Sequence, residues 1–315
     1  MVPVRNLLAR SLDKTVATLT QALEAYRGNP SGEPLHDLRV ALRRTAALAA
    51  LFRNIPADGD GRAERDAAQE LRRGLSAARQ NDVSRGLLTD LTAEEPDLAP
   101  AIAALLPSFT AETTSSAASA VSGAEQIVSL LSAWKERAAG VSGEDEGAFR
   151  GKVSKRLRKA RKKLLSFGKP TRKTLHEERI AGKALRYRLE LLAGALPSAA
   201  PLVKASKSFQ DALGEAHDWA CLLEDVRARV DGLPRIRRAG ALALVIVAEE
   251  KRAERLETAR SEAEAFFGIL RDADLTVPEP PAPPAAAVPA EAKPRSPRPR
   301  RAAPRAPRAP RTSRK

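Results

Sequence analysis

Apolar residues recur at helical spacing along most of the chain, and glycine and proline interrupt the pattern at intervals. The pattern predicts eight helices in two sets of four, over about 4–27, 34–53, 62–91, 97–138, 147–167, 171–195, 200–231 and 234–272. ALALVIVA at 241–248 is apolar enough for a buried strand. The charged, helix-favouring EEKRAERLETARSEAEA follows it without a break, so a helix is predicted there.

Length and composition support an all-α protein. A chain of 315 residues has room for about two domains. Aromatic residues make up 3% of the chain and much of the apolar content is Ala and Leu, which favours helix over sheet. We therefore expect two antiparallel four-helix bundles, over 1–140 and 147–272, separated by GVSGEDEG.

The composition changes at about residue 274 to a segment rich in Pro, Ala and Arg. Proline cannot continue a helix or sheet, and almost no large apolar residue is left to bury, so 274–315 is predicted to be a disordered tail. Its Pro-Arg repeats resemble the basic tails of chromatin-binding proteins. Two interpretations stay open: a nucleic-acid-binding arm, or a solubilising extension.

Charge limits the class of partner. The formal net charge is +15, of which residues 276–315 supply +8 and the remaining residues +7. Such a field attracts nucleic acid, inorganic polyphosphate or an anionic membrane surface. The single cysteine, Cys221, allows no internal disulfide and fits a reducing compartment. The charged N-terminus does not resemble a signal peptide, and no apolar run could span a bilayer, so we expect a cytoplasmic protein.

One short sequence motif occurs twice. LHDLRVALRR at 35–44 returns as LHEERIAGKALR at 175–186, with a spacing of 140 residues between the histidines. This spacing indicates an internal duplication. The pairs that it aligns are Leu35 with Leu175, His36 with His176, Arg39 with Arg179, Val40 with Ile180, and Arg43 with Lys183.

In both copies the cations share one helical face. At 100° per residue, the two aligned cations of each copy, Arg39 with Arg43 and Arg179 with Lys183, lie within about 60° of its histidine, and apolar residues lie opposite. In GKVSKRLRKARKKLLSFG, six cations likewise share an arc of about 120°. A solvated surface would explain any one such face, but three of them favour a common polyanion surface. Whether His36 and His176 contact the anion or hold structure is left open.

The two histidine motifs are similar to those of the CHAD family, the conserved histidine α-helical domain. LSAARQNDVSRGLL at 75–88 and FQDALGEAHDWACLLEDV at 209–226 resemble the second motif of each half. The resemblance covers most of 1–272. It implies two four-helix bundles related by a pseudo-twofold axis, with basic side chains around a central channel. It also implies binding of inorganic polyphosphate and association with polyphosphate granules.

The candidate polyphosphate-binding residues come from two sources. Three positions depart from the expected pattern. Ser76 and Gln80 stand where the family often has Gly and Asp, and Ala184 aligns with Arg44 in the repeat, so the two halves need not bind equally. The helical face near the middle of the chain adds Lys152, Lys155, Lys159 and Lys162. The resemblance indicates His36, Arg39, Arg43, Arg44, Arg79, His176, Arg179, Lys183, Arg186, Tyr187 and His217.

Polyphosphate binding has two alternatives. The first is a nucleic-acid-binding protein that uses both core and tail, perhaps at the nucleoid. The second is an enzyme of polyphosphate or nucleotide metabolism, but the sequence has no phosphate-binding Gly-rich loop and no HExxH motif. The acidic residues 144–146 are better explained as a solvated loop than as a metal site. We predict a non-enzymatic binding protein without cofactor or metal.

Overall fold

The computed structural model describes residues 4–54, 61–109, 114–139 and 146–279. All regular structure in these ranges is helical, so the predicted all-α fold class is confirmed. Two short 3-10 turns, Pro96–Leu98 and Leu106–Phe109, flank α5. The α-helices of the described ranges are α1 (Val4–Gly28), α2 (Gly32–Leu51), α3 (Arg62–Gly74), α4 (Ser76–Glu94), α5 (Ala99–Leu105), α6 (Thr114–Ala139), α7 (Glu146–Leu165), α8 (Leu175–Leu191), α9 (Ala199–Val230) and α10 (Arg235–Asp272).

The predicted helix 62–91 is wrong as a single element, because it breaks into α3 and α4 at Leu75. At the break, the carbonyl of Arg72 accepts hydrogen bonds from the Arg39 guanidinium at 2.9 Å and from the Ser76 hydroxyl at 3.0 Å. Side-chain donors thus bond the Arg72 carbonyl, which would accept from the Ser76 amide in a continuous helix. The Leu75 side chain turns into the core.

The predicted helix 97–138 is also divided. Pro96, Pro100 and Pro107 supply no amide hydrogen, so short turns and α5 take the place of its first part, and α6 begins at Thr114. The helix expected from 171 begins at Leu175, because Thr171 and Thr174 form a hydrogen-bonded turn before it. Residues 241–248 are helical within α10, as predicted.

Two apolar clusters form the core. The larger includes side chains from α1, α2, α3, α6, α7 and α8 and from adjoining parts of α9 and α10. The smaller joins α4 and α5 to the other parts of α9 and α10, which therefore run through both clusters. Both clusters draw on residues from each half of the sequence. The division into bundles over 1–140 and 147–272 stays a prediction.

Helices α8 and α9 approach closely at Gly182. A Cβ atom there would lie 3.3 Å from the Phe209 ring, and the Gln210 amide donates to the Gly182 carbonyl at 3.3 Å. Phe209 in turn stacks on Phe266 with ring centroids 5.3 Å apart. The small residue therefore lets α8 lie near the aromatic core, and this fixes the direction of its opposite, cationic face.

The first residues of the predicted tail pack against α7. Leu275 and Val277 are buried, and the Val277 amide donates to the Ser154 hydroxyl at 2.9 Å. The Arg161 guanidinium donates to the Ala273 carbonyl at 2.8 Å. Residues 274–279 thus belong to the folded unit, which ends at Pro280. The rest of the predicted tail, 280–315, lies outside the described residues.

None of the described helices combines the length and the apolar character that crossing a membrane would need.

Candidate functional site

A cavity of about 1000 Å³ lies between α2, α3, α4, α8 and α9. We call it the basic cavity, since its lining contains eight Arg, one Lys and three His against three carboxylates, Asp211, Glu215 and Asp218. Both histidine motifs contribute to it. The basic and histidine side chains of the lining are His36, Arg39, Arg43, Arg44, Arg72, Arg79, His176, Arg179, Lys183, Arg186, Arg188 and His217.

The two motifs meet through Tyr187. Its hydroxyl is hydrogen-bonded to Arg43, and the Arg44 guanidinium lies 5.9 Å from the centre of its ring. Glu190 lies 3.6 Å from Arg44 and 2.8 Å from Arg186. Cations of α2 and α8 are therefore brought together by direct contacts, and Glu190 neutralises part of the charge at this edge of the cavity.

Arg39 is a buried cation without a carboxylate partner among the described residues. Its side chain is 7% exposed and donates to the Arg72 carbonyl and, at 3.2 Å, to the Ser76 hydroxyl. Burial, followed by repulsion from neighbouring guanidinium groups, lowers its pKa to about 9. Arg39 therefore both joins the α3–α4 break to α2 and adds charge to the cavity.

Lys183, the lysine of the cavity lining, has a pKa far below its ordinary value. Burial lowers its pKa to about 6, and the charges of Arg179, Arg43 and Arg186 act in the same direction. Asp218 opposes this effect. Lys183 is therefore largely neutral at pH 7.5, although its nitrogen can still donate a hydrogen bond to an anion.

The histidines of the second half form a pair. The rings of His176 and His217 are 4.9 Å apart at their centres and tilted by 49°. Burial lowers the pKa of His217 to about 3, and the nearby Arg179 contributes. Burial also lowers the pKa of His36. His217 is therefore a neutral hydrogen-bonding group at physiological pH rather than a source of charge.

Asp218 is the carboxylate set deepest among these cations. Its Oδ1 atom lies 3.9 Å from an Arg179 nitrogen, which is a long ion pair. Burial raises the pKa of Asp218, whereas Arg179 and Lys183 act to lower it. Because this pair is loose, Arg179 keeps donors that an anionic ligand can use.

The structure brings most of the predicted site residues together. His36, Arg39, Arg43, Arg44 and Arg79 line the cavity from the first half, and the second-half residues that line it are His176, Arg179, Lys183, Arg186, Tyr187 and His217. The four lysines predicted on α7 do not line it. They are exposed on the outer face of that helix: Lys152, Lys155, Lys159 and Lys162.

Arg72 and Arg188 line the cavity but were not predicted. Arg188 falls about 120° from His176 on the helical wheel, on the side that the pattern assigns to the core. Its long side chain reaches the cavity from there, as long basic side chains can. Arg72 has no counterpart in the repeat, so no sequence signal singled it out.

The described residues contain no group of three His, Cys, Asp or Glu side chains placed to hold a metal ion. Cys221 lies 3.7 Å from a ring nitrogen of His217, and burial raises the pKa of its thiol to about 11, which makes it a poor nucleophile.

Together, fold and site define an all-helical protein with a cationic cavity that both histidine motifs line. The family model of the CHAD domain matches residues 10–227, and the chain belongs to that family. The family is associated in general with polyphosphate binding, and its domains are generally non-catalytic.

The fold is similar to the crystal structure of the CHAD domain from the plant Ricinus communis. The two match with a TM-score of 0.62 and 22% sequence identity, over 83% of this chain and 91% of that chain. At this identity the likeness establishes the shared fold. The comparison with curated proteins found no match.

Proposed function

We propose that the basic cavity binds inorganic polyphosphate and does not convert it chemically. The observation that carries the proposal is the convergence of nine Arg and Lys side chains on one cavity that holds three carboxylates; seven of the nine lie on α2 and α8, the helices of the two histidine motifs. The general association of the CHAD family with polyphosphate supports it. Cytoplasmic location and association with polyphosphate granules are parts of the same proposal.

The chemistry of the lining suits a polymer of phosphates. Arginine can hold two phosphate oxygens in a fork, and lysine supplies a mobile charge. Among the described residues, Tyr187 is the one aromatic side chain of the lining besides the histidines, and Arg43 and Arg44 already contact it. Base stacking, which single-stranded nucleic acids need, therefore has no free platform here. The lining favours a ligand with charge and without bases.

The test replaces two cavity arginines that have no backbone partner among the described residues. We expect Arg43→Gln with Arg179→Gln to weaken polyphosphate binding by about 30-fold or more, because charge-assisted hydrogen bonds are lost. Arg39 is left intact because it also joins α2 to α3. Binding is measured by titration calorimetry, and circular dichroism checks that the helices remain.

The matched control is Arg235→Gln with Arg237→Gln, which removes the same charge from exposed positions outside the cavity. We expect it to change the affinity by less than about threefold, as loss of distant surface charge does. Equal losses in the two double variants would show that the net charge, rather than the cavity, attracts the polymer.

A further inference from the structure

The outer face of α7 carries cations that the cavity does not use. Lys152, Lys155, Lys159, Lys162 and Lys163 are exposed, and none forms an ion pair with a described residue. Like charges three and four residues apart destabilise a helix by a few tenths of a kcal/mol per pair. The arrangement therefore has a local cost that an anionic partner would relieve.

Arg156 connects this face with the end of α2. Its guanidinium donates to the Leu51 carbonyl at 2.6 Å and to the carbonyl of Arg53. The preceding turn of α2 lines the basic cavity through Ala47 and Ala50. The place where α7 is fixed to α2 is thus next to the end of the cavity wall.

A cavity residue lies on the same side. Arg188 lines the basic cavity, and its pKa is lowered first by burial and then by the charge of Arg156. The charge of Arg156 on α7 therefore acts on Arg188 in the cavity.

The exposed cations of α7 divide into two edges by their angle from Arg156 on the helical wheel. Lys152, Lys159 and Lys163 lie within about 60° of it and form the near edge. Lys155, Arg158 and Lys162 lie about 100° to 160° away and form the far edge. The near edge extends about 16 Å along the helix, from Lys152 to Lys163.

We propose that the near edge of α7 is an exit track, along which a polyphosphate chain too long for the basic cavity continues past Arg188 and Arg156. This inference rests on the proposed function of the cavity. It assigns two binding zones to one polymer: the cavity holds any short phosphate chain, whereas the track contacts only chains that extend beyond it. Chain-length preference then resides in α7.

The test compares tripolyphosphate with long-chain polyphosphate on two triple variants of the full chain. The near-edge variant is Lys152→Gln, Lys159→Gln, Lys163→Gln, and the far-edge variant is Lys155→Gln, Arg158→Gln, Lys162→Gln. Both remove three exposed charges from one helix. We expect the near-edge variant to bind the long polymer about tenfold more weakly than wild type, with a shallower salt dependence.

The other measurements separate the two proposals. We expect the far-edge variant to lose less than about threefold for the long polymer, and both variants to bind tripolyphosphate like wild type. Equal losses in the two variants, or none in the near-edge variant, would overturn the exit track while leaving the cavity intact as a site. If wild type binds neither polymer, the proposed function itself fails.

Discussion

At the scale of single residues, Lys183 links anion binding to protonation. Arg43 faces it from α2, Arg179 and Arg186 from α8, and Asp218 from α9. Burial and the three guanidinium groups lower its pKa to about 6, whereas Asp218 opposes this shift. A bound phosphate oxygen would favour the charged ammonium and raise that pKa again. Binding above pH 6 should therefore take up a proton, and affinity should fall as pH rises.

We predict that Lys183→Arg lowers the proton uptake on tripolyphosphate binding at pH 7.5 by about one proton per cavity, because arginine is already charged. Titration calorimetry in buffers of different ionisation enthalpy measures this uptake. Lys183→Met should weaken binding at pH 5.5 more than at pH 8. If wild type and Lys183→Arg take up the same number of protons, Lys183 is not the group that titrates.

The residues of the cavity show which part of a site is visible in a sequence. Cations that recur at helical spacing with the histidines, such as Arg43 and Lys183, were predicted and line the cavity. Arg188 was missed because a helical wheel gives the direction of a Cα–Cβ bond and not the reach of a long side chain. The α7 lysines show the reverse case, since their shared face was visible but not the direction in which that face points.

At the scale of elements, α8 combines two unlike faces. One lines the basic cavity, whereas the other buries Glu178 completely, with neither carboxylate oxygen hydrogen-bonded to a described residue. Burial raises the pKa of Glu178 to about 7. In the unfolded chain the carboxyl has its ordinary pKa of 4.5. Between pH 4.5 and about 7 the folded state therefore binds more protons than the unfolded state. The contribution of Glu178 to stability is then lost as pH rises from about 4.5 through 7.

We predict that Glu178→Gln stabilises the protein at pH 8 relative to wild type and much less at pH 5. The difference between the two pH values should reach up to about 3 kcal/mol, because glutamine does not titrate. Urea unfolding of both proteins at each pH measures it. Polyphosphate affinity should stay the same, since Glu178 lies away from the cavity. A stability difference that is independent of pH would contradict this origin.

The element boundaries could be predicted only where the chain itself marks them. Glycine and proline marked most helix ends correctly, and the helix over 241–248 followed from its charged continuation. The break between α3 and α4 depends on Arg39, which reaches the Arg72 carbonyl from a different helix. Local periodicity contains no record of such a tertiary hydrogen bond, so the two helices were predicted as one.

At the scale of the whole molecule, positive charge occurs in three distinct places. The cavity concentrates cations where an anion can be surrounded, and α7 carries them on an open face. Residues 276–315 add a net +8 in a sequence rich in proline. A flexible polymer without bases can use an enclosed site, but a stiff DNA duplex needs an accessible one. DNA binding, the alternative function, is proposed for the segment after residue 280 because its Pro-Arg repeats resemble the basic tails of chromatin-binding proteins.

A truncated chain of residues 1–280 tests polyphosphate binding separately from DNA binding. The cut lies beyond Leu275 and Val277, whose packing against α7 an earlier end would disturb. We predict that residues 1–280 bind long-chain polyphosphate within about threefold of the full chain at moderate salt, but bind duplex DNA at least about tenfold more weakly and with a smaller salt slope, because fewer counterions are released. Fluorescence anisotropy over a salt series measures both.

As a control, the full-length chain with glutamine in place of the ten Lys and Arg of 276–315 keeps the length of the segment and should behave like 1–280. If 1–280 binds DNA as tightly as polyphosphate at matched charge and salt, the cavity does not select for phosphate chains, and a nucleic-acid-binding core becomes the better interpretation.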